Sequence, residues 1–291
     1  MISVQITPYD RRYREAIHSL LFYSRYTHVH LDWYKVAHWL ETGNPTVHLA
    51  WHQQRLVGML GAAPPLHGTS WIRLAGVDPR LNAPVIITQM WDALQADLRT
   101  QGVHSVYVLL LNNWLKPFLA ELGFTFMEEV ITLFRKSTIV PQNRIELDIH
   151  VAYHDDVIQL TSLDNATFDP PWQLSRNEMY QALRLSALCT VAKFQGRVVG
   201  YQLSTRHHTS GHLARLGVLP QAQGNGIGTQ LIIDLIRRFV KRGVRSITVN
   251  TQLTNVHSQN LYYRHGFHRN GFDLPVWQFH LQPSTNRSSS S

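Results

Sequence analysis

A single cysteine, Cys189, among 291 residues excludes an internal disulfide framework and a multi-cysteine zinc site. A reducing, cytoplasmic setting is therefore expected. No stretch reaches the ~18 consecutive apolar residues of a membrane-spanning helix. The opening "MISVQITPYDRRYREAIHSL" carries charges where a secretion signal needs an apolar core, so neither insertion nor export is expected. Charge is also sparse, at 16% of residues, whereas 44% are hydrophobic, enough for two ordinary domains with buried cores.

The charges present are unbalanced: 27 Lys and Arg against 19 Asp and Glu give a formal +8. That surplus favours an anionic partner, either nucleic acid or a small polyanionic cofactor. The densest cluster, Arg237, Arg238, Lys241, Arg242 and Arg245, falls at the end of a helical pattern. Cations there complement the helix dipole or contact a ligand. No nucleic-acid recognition motif accompanies them, so a nucleic-acid partner is not expected.

The two halves repeat one another. "AWHQQRLVGML" from Ala50 matches "AKFQGRVVGYQL" from Ala192, "LAGVDP" from Leu74 matches "RLGVLP" from Arg215, and "GVHSVYV" from Gly102 matches "GVRSITV" from Gly243. The last two matches are 141 residues apart, the first 142, and "LGF" at 122–124 precedes "HGF" at 265–267 by 143. Four landmarks in one order predict two copies of one α/β domain, with a boundary near "STIVPQNR" at 137–144. The expected divisions are 1–140, 145–282 and a disordered, low-complexity tail at 283–291.

One stretch departs from an ordinary helix start. "VLPQAQGNGIGTQL", from Val218, places glycines at 224, 226 and 228 ahead of Ile227, Leu231, Ile232, Leu235, Ile236 and Val240, an amphipathic spacing with Asp234 on the polar side. Bare glycines at a helix N-terminus leave backbone N–H groups open to an anion. A Walker loop is excluded because Thr229 and Gln230 follow Gly228 where Lys and Ser/Thr are required. A dinucleotide fingerprint is excluded by its displaced third glycine and the lack of an acidic residue where the next strand ends, at Asn250.

The pattern Gln223-x-x-Gly226-x-Gly228, followed by "NVHSQNLYYRHGF" with Asn255, Leu261, Tyr262, Gly266 and Phe267, resembles the GNAT acetyltransferase superfamily. Ser258 stands where that family usually has alanine. The resemblance implies two tandem GNAT-like domains, each a mixed, mostly antiparallel twisted sheet flanked by helices. It implies acetyl-coenzyme A as co-substrate, held by Val218, Gln223, Gly224, Asn225, Gly226, Ile227, Gly228, Thr229, Asn255 and Ser258. The acceptor is then an amine, small or a protein N-terminus, attacking the thioester directly in a ternary complex. Tyr262 would protonate the departing thiolate, Phe168 and Trp172 would line the acceptor site, and no metal is implied.

The base is open. Relatives acting on protein N-termini often carry glutamate where this chain has Asn250, a neutral amide, so His212 is the substitute considered beside a water-mediated base or none. In the first half, Ala83, Val85 and Ile87 replace the three glycines, Pro84 lies among them, and Leu119 replaces Tyr262. That copy is expected to bind no coenzyme. A non-catalytic acyl-coenzyme A sensor or interaction module is the alternative function; it would keep Gln223 and the glycines without needing Tyr262.

Overall fold

The computed structural model describes residues 3–142 and 147–282. Two compact units form, Met1–Met127 with Leu274–Ser291, and Glu128–Asp273. The units thus divide at 127 and 273 where the sequence pattern suggested 140 and 145. The proposed tail at 283–291 and the first residues of the expected second domain lie outside the described residues.

The first unit contains β1 (Gln5–Pro8), α1 (Arg14–Tyr23), β2 (Tyr26–Val29), α2 (Val36–Thr42), β3 (Thr46–His52), β4 (Arg55–Ala62), β5 (Thr69–Val77), α3 (Ala83–Thr100), β6 (Ser105–Leu109) and α4 (Lys116–Glu121). From β7 (Thr125–Arg135) the chain enters the second unit, which holds β8 (Asp148–Val151), α5 (Val157–Thr167), α6 (Arg176–Leu185), β9 (Leu188–Phe194), β10 (Arg197–His207), β11 (Ser210–Val218), α7 (Ile227–Lys241), β12 (Ser246–Gln252) and α8 (Val256–Arg264). The last strand, β13 (His268–His280), returns to the first unit.

Each sheet is completed by a strand from the other half of the sequence. In the first unit, Val276–His280 of β13 pair antiparallel with Leu109–Ser105 of β6. In the second, Val130–Arg135 of β7 pair antiparallel with Gln252–Ile247 of β12. This exchange displaces the boundaries, because alternation of apolar residues tells which face of a strand is buried but not which neighbour it takes.

The second unit's sheet runs β8-β9-β10-β11-β12-β7, antiparallel except for the β11–β12 pair. Its core lies under α7, where Leu231, Ile232, Leu235, Ile236 and Phe239 are all fully buried. Truncating a side chain such as Phe239 to alanine costs about 3–5 kcal/mol in a site of this kind. The apolar face of α7 is wider than the pattern suggested. Asp234, expected on the polar side, is buried and held by Arg238 Nε at 2.7 Å. Arg238 and Lys241 occupy the last turn, and Arg242 donates to the carbonyl of Ala187 at 2.9 Å, so part of the basic cluster serves the fold.

The first unit orders its strands β1-β3-β4-β5-β6-β13. An additional strand, β2, pairs with Leu74–Val77 of β5, beyond the three residues, Thr69–Trp71, that pair with β6. Among the described residues, no helix is long and apolar enough to cross a membrane.

Candidate active site

In the second unit β11 and β12 begin side by side and then part. Their parallel pairing runs from Ser210↔Ser246 to Leu213↔Val249 and stops. The cause sits in the next residue, since the β10 register jumps from Leu213 to Arg215, leaving Ala214 as a bulge that turns β11 away. Beyond it, no strand among the described residues covers the β11 edge facing β12.

A cleft of about 440 Å³ opens along this edge, walled by Leu216 and Val218 on β11, Thr167 and Phe168 at the end of α5, and Asn255, His257, Ser258, Leu261 and Arg264 around α8. Its floor is the glycine loop. Gly224 and Gly226 have φ of +80° and +74°, a left-handed backbone disfavoured by side chains, and a Cβ on Gly224 would meet open space. Gly228 has a different reason: a Cβ there would lie 3.1 Å from Leu261 Cδ2, so glycine permits α7 to approach α8.

No side chain caps α7, and its first helical bond runs from Gln230 N–H to the Gly226 carbonyl at 3.0 Å. The N–H groups of Ile227, Gly228 and Thr229 therefore have no partner within the helix. All three residues line the cleft. An anion placed there meets three donors and the positive end of a 15-residue helix.

The other expected coenzyme residues divide between lining and bracing. Gln223 lines the cleft, but its side-chain amide also donates to the Val218 carbonyl at 3.0 Å, which ties the loop to the strand. Asn225 is outside the lining and donates to the carbonyls of Ala222 and Gln223 at 3.1 and 3.3 Å, so it braces the turn. Asn255 Oδ1 caps α8 by accepting from Ser258 N–H at 3.0 Å.

Tyr262 and His212 do not line the cleft. Tyr262 is 4% exposed, packs on Phe267 with ring centroids 5.7 Å apart, and burial pushes its hydroxyl pKa up. His212 sits in the paired part of β11, six residues before Val218 or roughly 20 Å along a strand, with Nδ1 2.9 Å from Thr248 Oγ1. Asn250 is exposed on β12 opposite Thr132.

Sequence reading missed a buried ionic cluster behind Phe168. Asp164, fully buried on α5, accepts from Arg215 Nε at 3.0 Å, from the Tyr201 hydroxyl, and from Leu174 N–H at 2.8 Å. Arg215 also donates to the Trp172 carbonyl at 2.8 Å, and its guanidinium lies 4.0 Å from the Phe168 ring centroid. Burial opposes the Arg215 charge, but Tyr201 and Asp164 more than offset it and raise its pKa. The cluster thereby fixes the 168–174 loop, carrying both expected acceptor residues, against the bulged strand. Its signal was available: Asp164 interrupts the apolar face of α5, and Arg215 interrupts a strand otherwise rich in Leu and Val.

A model of the acetyltransferase (GNAT) family matches residues 157–267, inside the second unit. An uncharacterized N-acetyltransferase of Methanocaldococcus jannaschii is 35% identical over 78 residues, 26% of this chain and 50% of that protein. The spore coat polysaccharide biosynthesis protein SpsD of Bacillus subtilis is 34% identical over 98 residues, 34% of this chain and 33% of that protein. The chain thus spans half or less of the curated relatives it matches.

Among solved structures, a tandem GNAT protein from the clavulanic acid biosynthesis pathway superposes with a TM-score of 0.69 at 13% identity, covering 97% of this chain and 100% of that one. A GCN5-related N-acetyltransferase from Sphaerobacter thermophilus gives 0.64 at 14%, covering 96% of each. Identities this low speak to the fold alone. This chain, on a fold shared along its length with a tandem GNAT protein, carries a GNAT-family acetyltransferase domain.

Proposed function

We propose that the second unit binds acetyl-coenzyme A in the cleft beside β11 and transfers its acetyl group to an amine. The observation that carries this reading is the conjunction of an uncovered strand edge with three unpartnered amides at its end. The amides and Arg264 suit the pyrophosphate, and the β11 edge from Ala214 to Val218 suits the amide-bearing pantetheine arm. When bound, the coenzyme supplies an activated thioester.

The chain's own groups then do the rest. The braced loop holds the donor in place, so much of the rate comes from proximity to the acceptor. Tyr262, kept protonated by burial at neutral pH, is the donor proposed for the leaving thiolate. Phe168 and Trp172, locked by Arg215, form the acceptor wall.

The first unit is proposed to bind no coenzyme. There β2 pairs with Leu74–Val77, the residues that correspond to Arg215–Val218, so the equivalent strand edge is already covered. Trp114 and Asn112 donate to the Thr27 carbonyl at 2.7 and 3.1 Å and hold β2 down. At the head of α3, Asn82 Oδ1 accepts from Val85 N–H at 3.4 Å, so an amide in the corresponding loop is in use.

The burial of Tyr262 outside the cleft lining favours a second reading, a coenzyme-binding sensor without catalysis. Tyr262→Phe separates the two. The enzyme loses thiol release in the presence of amines while keeping its affinity for acetyl-coenzyme A; the sensor shows no amine-dependent release in either form.

A further inference from the structure

Among the acidic side chains of the second unit, Glu128 has an unusual setting. It is the first residue of that unit, on the exchanged strand β7, and is half-buried. Its carboxylate accepts from Thr254 Oγ1 at 3.2 Å and from the indole N–H of Trp172. Thr254 immediately precedes the cleft residue Asn255, and Trp172 belongs to the loop that Arg215 fixes beside Phe168. Glu128 therefore stands where the parted end of β12 meets the acceptor loop.

Among the described residues, no cation pairs with it. Its neighbour Glu129 faces Arg269 at 3.8 Å, and Arg269 is itself engaged by Asp273. The two donors on Glu128 are neutral. Burial consequently dominates and raises its pKa above the ordinary glutamate value, with the bonds from Thr254 and Trp172 working the other way. A partly desolvated carboxylate lacking a counter-ion is a place for an ammonium group.

We propose that Glu128 receives the protonated acceptor amine and is the base for acetyl transfer, an inference that rests on the coenzyme reading of the cleft. The substrate class is then a primary aliphatic amine, charged in neutral solution. Glu128 takes one proton from the ammonium, and the freed nitrogen lone pair forms the N–C bond as the C–S bond breaks. The thiolate takes the Tyr262 proton, the remaining excess proton on nitrogen restores Tyr262, and Glu128 returns its proton to solvent. The products are the amide, the free thiol and one proton. The exchanged strand thus delivers the group that neither Asn250 nor His212 supplies.

Glu128→Gln keeps an oxygen acceptor for Thr254 and Trp172 but removes the basic group. We would measure acetyl-coenzyme A binding by calorimetry, and thiol release with spermidine, glucosamine, tyramine and a free-amine tripeptide, from pH 6 to 10. The proposal expects unchanged coenzyme affinity and about 10²-fold slower release at pH 7 with the best amine. That deficit should shrink as the amine deprotonates unaided, and Glu128→Asp should retain part of the wild-type profile. A wild-type rate and pH profile in Glu128→Gln would overturn the proposal while leaving the coenzyme reading intact. So would wild-type protein that binds the coenzyme but acetylates none of these amines. Wild-type protein that binds no coenzyme removes the reading beneath the proposal, and the proposal with it.

Discussion

Leu213 and Val249 are the last residues at which β11 and β12 pair; after them the bulge at Ala214 turns β11 away. The wedge beyond this pair, the glycine loop at its open end and the facing Phe168 make up the candidate site. Its corresponding place in the first unit is taken by β2.

The Asp164–Arg215 pair should behave as a buried ion pair whose halves cannot be separated. Arg215→Met leaves the Asp164 carboxylate without its cation and is expected to destabilise the protein by about 3–5 kcal/mol. The double variant Asp164→Leu, Arg215→Met should recover a large part of that loss. Urea denaturation of the double variant and of each single variant, Arg215→Met and Asp164→Leu, measures the coupling, and additive losses would contradict it.

The same residues should act on the acceptor side without touching the coenzyme. Arg215→Lys keeps a charge but loses the planar fork that spans Asp164 and the Trp172 carbonyl. The expected outcome is at least a several-fold rise in KM for the amine, with the calorimetric affinity for acetyl-coenzyme A little changed. A loss confined to coenzyme binding would argue against this role.

His28 gives the first unit a pH signature. It is fully buried, and burial lowers its pKa from about 6.5 to about 4. The unfolded chain therefore binds the proton more readily, and stability should be fully present above about pH 6.5 and fall as pH drops toward 4. The loss is on the order of 3 kcal/mol, at 1.36 kcal/mol per unit. Comparing urea midpoints at pH 7 and pH 5, His28→Leu should show a smaller decline than the wild type; equal declines would contradict the assignment.

Trp114 tests the cover over the first unit's strand edge. It stacks on Tyr26, with centroids 5.8 Å apart, and holds the Thr27 carbonyl. Trp114→Ala should cost about 2 kcal/mol, below the usual range for a fully buried aromatic because this side chain is only partly buried. Coenzyme stoichiometry should remain one per chain, and a second equivalent would show that the first unit retains a usable cradle.

The repeat, the amphipathic α7 and the glycine loop were legible because each is local. Periodicity and left-handed glycines leave their mark within about 15 residues. The remaining features depend on partners far along the chain. Nothing in "FMEEVITLF" says that β7 pairs with β12, so the place of Glu128 in the second unit is not legible in its own stretch of sequence. Nothing in "YTHVH" says that β2 covers β5. Arg215 and Asp164 interrupt apolar patterns, yet their pairing appears only when α5 crosses the sheet.

One acetyl-coenzyme A is expected to bind per chain, at the loop before α7. Gly224→Asp tests it most directly, because aspartate tolerates a left-handed backbone better than most residues, finds open space there, and places a negative charge that favours the helix but repels phosphate. Calorimetry should show one coenzyme per wild-type chain and at least a tenfold loss of affinity in a variant that still unfolds cooperatively. No binding by the wild type, or undiminished binding by Gly224→Asp, would contradict a coenzyme site at this loop.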